Sequence, residues 1–357
     1  MTVGSHSSIR VLLTADPEIP VPPEGYGGIE RIVDALVRYY RSIGHTVGLV
    51  AHRESLSPAN SLFAWPSRTS RGQLRSARNA LALRRAVRAF RPDIVHSFSR
   101  LAYLLPILRS ELPKVMSYQR HTGGRQITWA TRFAGDSLAF TGCSEFICRM
   151  GGASGGSWQA IPNFVETERI AFTVATEADA PLVFLSRVEA IKGPEMAIAI
   201  AQRARRKLVI AGNHATAGSE RAFWERAIVP RLGRDGIAYV GEVGDQAKGR
   251  LLGSAAALLV PVQWDEPFGI VFAEALAAGT PVISCPRGAL PEIVDHGRTG
   301  FLVRSVEEGS AAVARLAEID RAECRRVAVQ RFDVRICATQ YLELYDNLRR
   351  RKQAPAS

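Results

Sequence analysis

The chain is poor in several features that would place it quickly. Its 357 residues include only five cysteines, at 143, 148, 285, 324 and 337. An odd number with no CxxC spacing indicates neither a disulfide framework nor a zinc site, so these are expected to be reduced packing residues. No apolar run approaches the length of a membrane span, and the opening MTVGSHSSIR lacks the apolar core of a signal peptide, which leads to the expectation of a cytoplasmic protein. Basic residues are not interleaved with aromatics and no nucleic-acid motif is present, so nucleic acid is not an expected partner.

What is present is a globular composition, 46% hydrophobic and 22% charged, on a chain long enough for two α/β domains. Net charge is +12 and unevenly placed: residues 1–172 carry 21 Lys and Arg against 12 Asp and Glu. The strongest feature of this basic half runs from Arg68 to Arg91, with eight arginines and no acid. Leu74, Ala77, Leu81, Val87 and Phe90 recur along it at helical spacing, which predicts a basic amphipathic helix. Two readings stay open here: a crossover helix whose arginines are simply solvated, or a face that docks on anionic membrane or on the acceptor.

Alternating short apolar runs and helical segments give the domain plan. In the front half IRVLLTA (9–15), TVGLVA, PDIVHSF, KVMSYQ and LAFTGCS read as strands, with the helix GIERIVDALVRYYRSIG after the first. The second half is cleaner: LVFLSR, KLVIAGN, IAYVGEV, AALLVPV and PVISC alternate with KGPEMAIAIAQRA, SERAFWERAIVPRL, DQAKGRLLGSA and FGIVFAEALAAG. Nearly all-apolar strands of this length belong to parallel sheets covered on both faces. The expected domains are 1–170 and 171–330, with 331–357 as a terminal helical segment. In such sheets ligands sit beyond the carboxyl ends of strands, so the loops after LVFLSR and AALLVPV are the places to look.

Those loops hold the chemistry. Arg187 ends LVFLSR and Lys192 follows in SRVEAIKG; together they suit a diphosphate, although salt bridges to Glu189 or Glu195 are an equally direct reading of the spacing. After AALLVPV comes EPFGIVFAEAL (266–276). Its apolar run leaves no polar stripe, so the helix is expected to be covered on every side and Glu274 to be buried. An ionised carboxylate there needs donors, and a ligand diol or a buried cation would supply them. Pro267 fits a first helical position, leaving the N–H groups of Phe268, Gly269 and Ile270 facing whatever lies above. In the front half, Gly25, Gly27 and Gly28 form GYGG just before a helix, where glycine permits close backbone approach to phosphate or serves as an ordinary helix-entry turn.

EPFGIVFAEALAAGTPVI, with its Glu, seven residues and second Glu, resembles the donor-site signature of retaining GT-B glycosyltransferases of family 4. The Arg, four residues and Lys-Gly at 187–193, the loop PPEGYGGIER, the IPNFVE element with Asn163, and GALPEIVDHGRTGFLV extend the resemblance over both halves. The glycine loop looks like that of family members that glycosylate small molecules, antibiotic-pathway enzymes among them.

The resemblance implies two Rossmann-like domains facing a central cleft, with the terminal helix crossing back to the first. It further implies that Arg187 and Lys192 hold the donor diphosphate, Glu274 the nucleotide ribose and Glu266 the hydroxyls of the transferred sugar. Gly27 and Gly28 would approach the donor phosphates, and the base would lie near YVGEV (239–243). Many members carry a histidine directly after the strand matching KVMSY; here Gln119 and Arg120 stand there and His121 follows, a candidate catalytic group beside His96. No Asp-x-Asp occurs, so the divalent metal that GT-A enzymes hold is not expected, nor is any cofactor beyond the nucleotide-sugar co-substrate.

These residues together lead to the expectation of a metal-independent retaining glycosyltransferase using a UDP-sugar and a small-molecule or lipid-linked acceptor. The alternatives are a sugar-nucleotide epimerase or phosphorylase on a related scaffold, or a non-catalytic protein that docks on anionic membrane through 68–91.

Overall fold

The computed structural model describes residues 8–25, 27–69 and 71–353. The opening seven residues, Tyr26 of the glycine cluster and Ser70 of the arginine run therefore lie outside the described residues. The chain divides into two compact units, 1–163 with 334–357, and 164–333. The boundaries fall at 163/164 and 333/334, not at 170/171 and 330/331.

The first unit is built on a parallel sheet of β1 (Arg10–Thr14), β2 (Thr46–Ala51), β3 (Ser61–Ala64), β4 (Ile94–Ser97), β5 (Lys114–Tyr118), β6 (Leu138–Gly142) and β7 (Trp158–Ala160). Their spatial order is β3-β2-β1-β4-β5-β6-β7. Helices α1 (Gly28–Ser42), α2 (Gln73–Phe90), α3 (Arg125–Ala134) and α4 (Glu145–Gly152) connect them, with a 3₁₀ segment at Leu101–Ile107. The second unit repeats the plan with β8 (Leu182–Leu185), β9 (Leu208–Ala211), β10 (Ile237–Tyr239), β11 (Ala257–Leu259), β12 (Val282–Ser284) and β13 (Gly300–Leu302), ordered β10-β9-β8-β11-β12-β13. Its helices are α5 (Pro194–Arg203), α6 (Gly218–Phe223), α7 (Asp245–Ser254), α8 (Ile270–Ala277), α9 (Leu290–Ile293), α10 (Val306–Ala314) and α11 (Arg321–Arg331), and α12 (Val334–Gln353) returns the chain to the first unit. Both sheets thus have a topological switch point, between β1 and β4 and between β8 and β11, where a crevice opens at the carboxyl ends.

Three strands escape the sequence reading: β3, β7 and β13. All are edge strands of three or four residues. An edge strand needs no two-sided apolar burial, so it carries little periodic signal; β3, for example, alternates half-buried and exposed residues.

The face of α2 is a second difference. Asn79, Ala80, Leu83, Ala86 and Phe90 turn into the core, whereas Leu74 and Leu81 are exposed. Of the stripe read from sequence, Leu74, Ala77, Leu81, Val87 and Phe90, Phe90 is buried, Val87 is half-buried and the other three are exposed; the sheet takes the line through Leu83 and Ala86 instead. Leu12, Val50, Val95, Met116 and Phe140 of the sheet complete that core with residues of the 3₁₀ segment and α3.

His96 of β4 is wholly buried. Its Nδ1 lies 2.5 Å from the Tyr345 hydroxyl and its Nε2 2.6 Å from Ser117 Oγ, while the Tyr40 hydroxyl donates to Tyr345 at 3.3 Å. This chain of polar contacts fastens α12 onto α1 and the first sheet. Burial pushes the imidazole pKa down to about 3, so it stays neutral. His96 is a packing histidine, which excludes it from chemistry at the strand ends.

Candidate active site

Loops after β8 and β11 flank the second switch point and hold most of the sequence-predicted residues. Lys192 sits in a 3₁₀ turn, Ala190–Lys192. Gly193 follows with φ 76°, and a Cβ there would lie 2.0 Å from the Pro261 carbonyl oxygen. Only glycine lets the two loops pack this closely. The Gln263 N–H donates to the Ile191 carbonyl at 2.8 Å, closing the same junction.

The consequence is an ion pair that the sequence did not foresee. Lys192 Nζ donates to Glu266 Oε2 at 2.5 Å, both side chains being largely buried. Trp264 Nε1 donates to the same oxygen at 2.8 Å, and Lys192 also lies over the Trp264 ring. Among the described residues Glu266 Oε1 has no hydrogen-bond partner, yet it is not one of the fully enclosed polar atoms. Arg187 Nη1 meets Glu189 at 2.5 Å, the salt bridge the spacing allowed, while Glu195 instead pairs with Arg231.

Glu274 repeats the pattern. Lys248 Nζ of α7 donates to its Oε1 at 2.5 Å, and among the described residues Oε2 has no hydrogen-bond partner and is not fully enclosed. The expectation of a fully covered helix fails here, because Ile270, Val271 and Glu274 form a half-buried stripe on α8. The helix also starts at Ile270 rather than Pro267, with Gly269 at its N-cap in the left-handed region. The N–H groups of Phe268, Gly269 and Ile270 find no acceptor among the described residues, so an anion-seeking rim does precede the helix. Lys248 was missed because nothing marks it in DQAKGRLLGSA; only the packing of α7 against α8 brings it to Glu274.

Near the predicted base position, Tyr239 is committed elsewhere. Its hydroxyl donates to the Gly212 carbonyl at 2.9 Å, and its ring meets Trp224, on which His214 stacks at 4.2 Å. Val240 is exposed, while Gly241 beside it is half-buried and accepts from the Gly212 N–H at 2.8 Å.

The first unit's switch point is chemically different. Gly27 caps α1 in extended backbone, and a Cβ on it would press against Pro23 and Glu30 Oε2; Gly28 is the first helical residue. Glu30 is buried in that first turn. Asp16, just beyond β1, meets Arg120 at 3.3 Å through Oδ2, while its Oδ1 is buried without a partner. The amide oxygen and nitrogen of Gln119 are likewise buried and unpartnered. Burial pushes the Asp16 carboxyl up to about 6 and that of Glu30 up to about 7, against the pull of Arg120; the Asp16 charge adds to the rise at Glu30. Neither acid was singled out by sequence, although the first polar position after β1 at a switch point is a legible signal for Asp16. His121 is exposed, its ring edge-on to Phe146 at 5.6 Å.

Two Rossmann-like parallel sheets of matching strand order, each with polar groups at its carboxyl edge, are the architecture that the resemblance to GT-B glycosyltransferases implies. A model described as "Glycosyl transferases group 1" matches residues 166–329, and one described as "Glycosyltransferase Family 4" matches 26–169. Between them they cover most of the chain, which belongs to glycosyltransferase family 4. Glycogen synthase of Mycobacterium tuberculosis is 28% identical over 332 residues, spanning 83% of this chain and 78% of that one. The crystal structure of AviGT4, a glycosyltransferase involved in avilamycin A biosynthesis, superposes with a TM-score of 0.72 at 27% identity, covering 96% of this chain and 98% of that one. Anabaena Alr3699/HepE, crystallised with UDP and glucose, shares the fold with a TM-score of 0.72 at 18% identity over 95% of this chain and all of that one.

Proposed function

We propose that this glycosyltransferase takes a UDP-sugar, works without a metal ion and retains the anomeric configuration, passing the sugar to a hydroxyl acceptor. The observation that carries the reading is the paired design of Glu266 and Glu274: in each, a lysine holds one carboxylate oxygen at 2.5 Å and the other oxygen is left open. A lysine so placed fixes the carboxylate, and an open acceptor oxygen is what a sugar or ribose hydroxyl requires. Relatives crystallised with UDP and glucose support the choice of base and sugar class.

Glu274 would receive the ribose diol. Glu266 would receive hydroxyls of the transferred sugar, and Lys192 and Arg187 the diphosphate. Each of these cations already faces a carboxylate, and an ammonium or guanidinium has further N–H donors, so the diphosphate would join these contacts rather than replace them. As the glycosidic bond to the diphosphate breaks, negative charge grows on the leaving oxygen. Lys192, Arg187 and the N–H groups of Phe268 to Ile270 oppose that charge without a metal.

For retention we favour same-face attack, the acceptor proton passing to a donor phosphate oxygen. A covalent intermediate would need a carboxylate beneath the sugar, and this reading employs Glu266 on the sugar hydroxyls. Asp16, Glu30, Gln119 and Arg120, at the carboxyl edge of the first sheet, are the groups we assign to the acceptor, with His121 nearby in the chain. Partly protonated carboxyls and an unpartnered amide suit a neutral polyhydroxylated acceptor, able both to donate and to accept.

The test is calorimetric titration of UDP, GDP and ADP into the protein, followed by product analysis with UDP-sugars. UDP preference, activity that survives EDTA, and a product with the donor's anomeric configuration are expected. Donor turnover without any acceptor would instead indicate an epimerase, and a trapped glycosyl–Glu266 adduct in mass spectra would replace same-face attack by double displacement.

A further inference from the structure

One face of the first unit is not accounted for by glycosyl transfer. On α2 the outward stripe reads Leu74, Arg78, Leu81, Arg85, Arg88, at helical spacing opposite the buried Leu83 and Ala86. Leu74 is 81% and Leu81 50% exposed. Beside α2, on the same face of the sheet, pack the 3₁₀ segment Leu101–Ile107 and α3. They add Leu105 and Trp129, each about half exposed, with Arg109 over the Phe133 ring and exposed Arg125 and Arg132.

The three elements contain no Asp or Glu; Asp93, Glu111 and Asp136 stand in the segments that follow them. None of Arg75, Arg78, Arg84, Arg85, Arg88, Arg109, Arg125 and Arg132 forms an ion pair among the described residues. Surface helices of the second unit behave otherwise, pairing Arg221 with Glu225, Arg315 with Glu318 and Arg326 with Glu323. A face that was only solvated would have no reason to place leucine and tryptophan on its outermost line. Between α2 and the edge strand β3 there is also a groove of about 640 Å³, lined by Leu62, Phe63, Pro66 and Leu81 together with Arg78 and Arg85.

We infer that the outer face of α2, the 3₁₀ segment and α3 rests on an anionic lipid surface, arginines against headgroup phosphates and Leu74, Leu81, Leu105 and Trp129 in the acyl boundary. Charge of one sign favours lipid of the opposite sign, and the interleaved apolar side chains favour a bilayer over a water-dissolved polyanion, which would leave them wet. Among the described residues no helix is long and apolar enough to cross a membrane, so the contact is peripheral.

Vesicle sedimentation of the full chain tests this, with phosphatidylcholine alone and mixed with phosphatidylglycerol. Binding is expected only to the mixed vesicles. The Leu74→Gln/Leu81→Gln variant should bind about tenfold more weakly, and Arg78→Gln/Arg85→Gln about fivefold more weakly per arginine. All four positions are exposed, so melting temperature and UDP affinity should match the parent, which separates this inference from the donor-site reading. Absence of binding to the anionic vesicles would overturn it. So would a leucine variant that binds as tightly as the parent while heparin competes fully, the mark of a face for soluble polyanions.

Discussion

The two units share a strand order and differ in how they treat charge at the same topological point. In the second, every predicted acid of the switch-point loops meets a cation: Glu266 with Lys192, Glu274 with Lys248, Glu189 with Arg187. In the first, half-buried Asp16 and buried Glu30 share a single guanidinium, that of Arg120, which meets Asp16 at 3.3 Å, and burial still lifts both carboxyls toward neutrality. Lysine-backed carboxylates are held in one orientation, suited to gripping one defined ligand. Proton-exchanging carboxyls tolerate groups that donate or accept. A common scaffold therefore offers a stringent side and a permissive side through local pairing alone.

Substitution can break this contrast at several points. The largest effect is expected at Lys192→Ala, which removes charge stabilisation and strands Glu266; kcat should fall by about 10²-fold or more, read by product formation under saturating donor. Glu274→Gln keeps the shape but loses the anion, and UDP binding in calorimetry should weaken roughly tenfold to a hundredfold. Gly193→Ala acts on the scaffold that makes the pairing possible. Its Cβ meets the Pro261 carbonyl, so the melting temperature should drop by several degrees while Glu274→Gln leaves it nearly unchanged.

The smallest and most specific effect concerns pH. Carboxyls with raised folded-state pKa bind more protons folded than unfolded, so the native state loses stability as pH rises from about 4 through about 6 for Asp16 and about 7 for Glu30. Asp16→Asn and Glu30→Gln should therefore melt higher than the parent at pH 8 and alike at pH 4. A parent whose stability is flat across that window would remove the permissive side of the comparison.

Much of this was legible from sequence because central parallel strands are apolar on both faces: β1, β2, β8 and β9 stand out as unbroken runs. Short edges such as β13 were not, and neither was the choice between two apolar stripes on α2, since only tertiary packing decides which one the sheet takes. At the candidate site, spacing marked Glu266, Glu274, Arg187 and Lys192 as polar groups at the carboxyl edge, and the family resemblance, not spacing, gave them their expected roles. Their partners were not legible, because Lys192 and Glu266 lie 74 positions apart and Lys248 carries no local mark. Gln119 and Glu30 became visible only through burial, a property a linear pattern does not report.

The return of α12 to the first unit has a consequence for biogenesis. All of 164–333 is contiguous, so the second unit can complete itself while synthesis continues. The first cannot: Tyr345, which closes the contacts of His96 and Tyr40, is made after every residue of the second. Until 334–353 emerge, α1 and β4 await a missing neighbour, and the half made earliest is the half finished last.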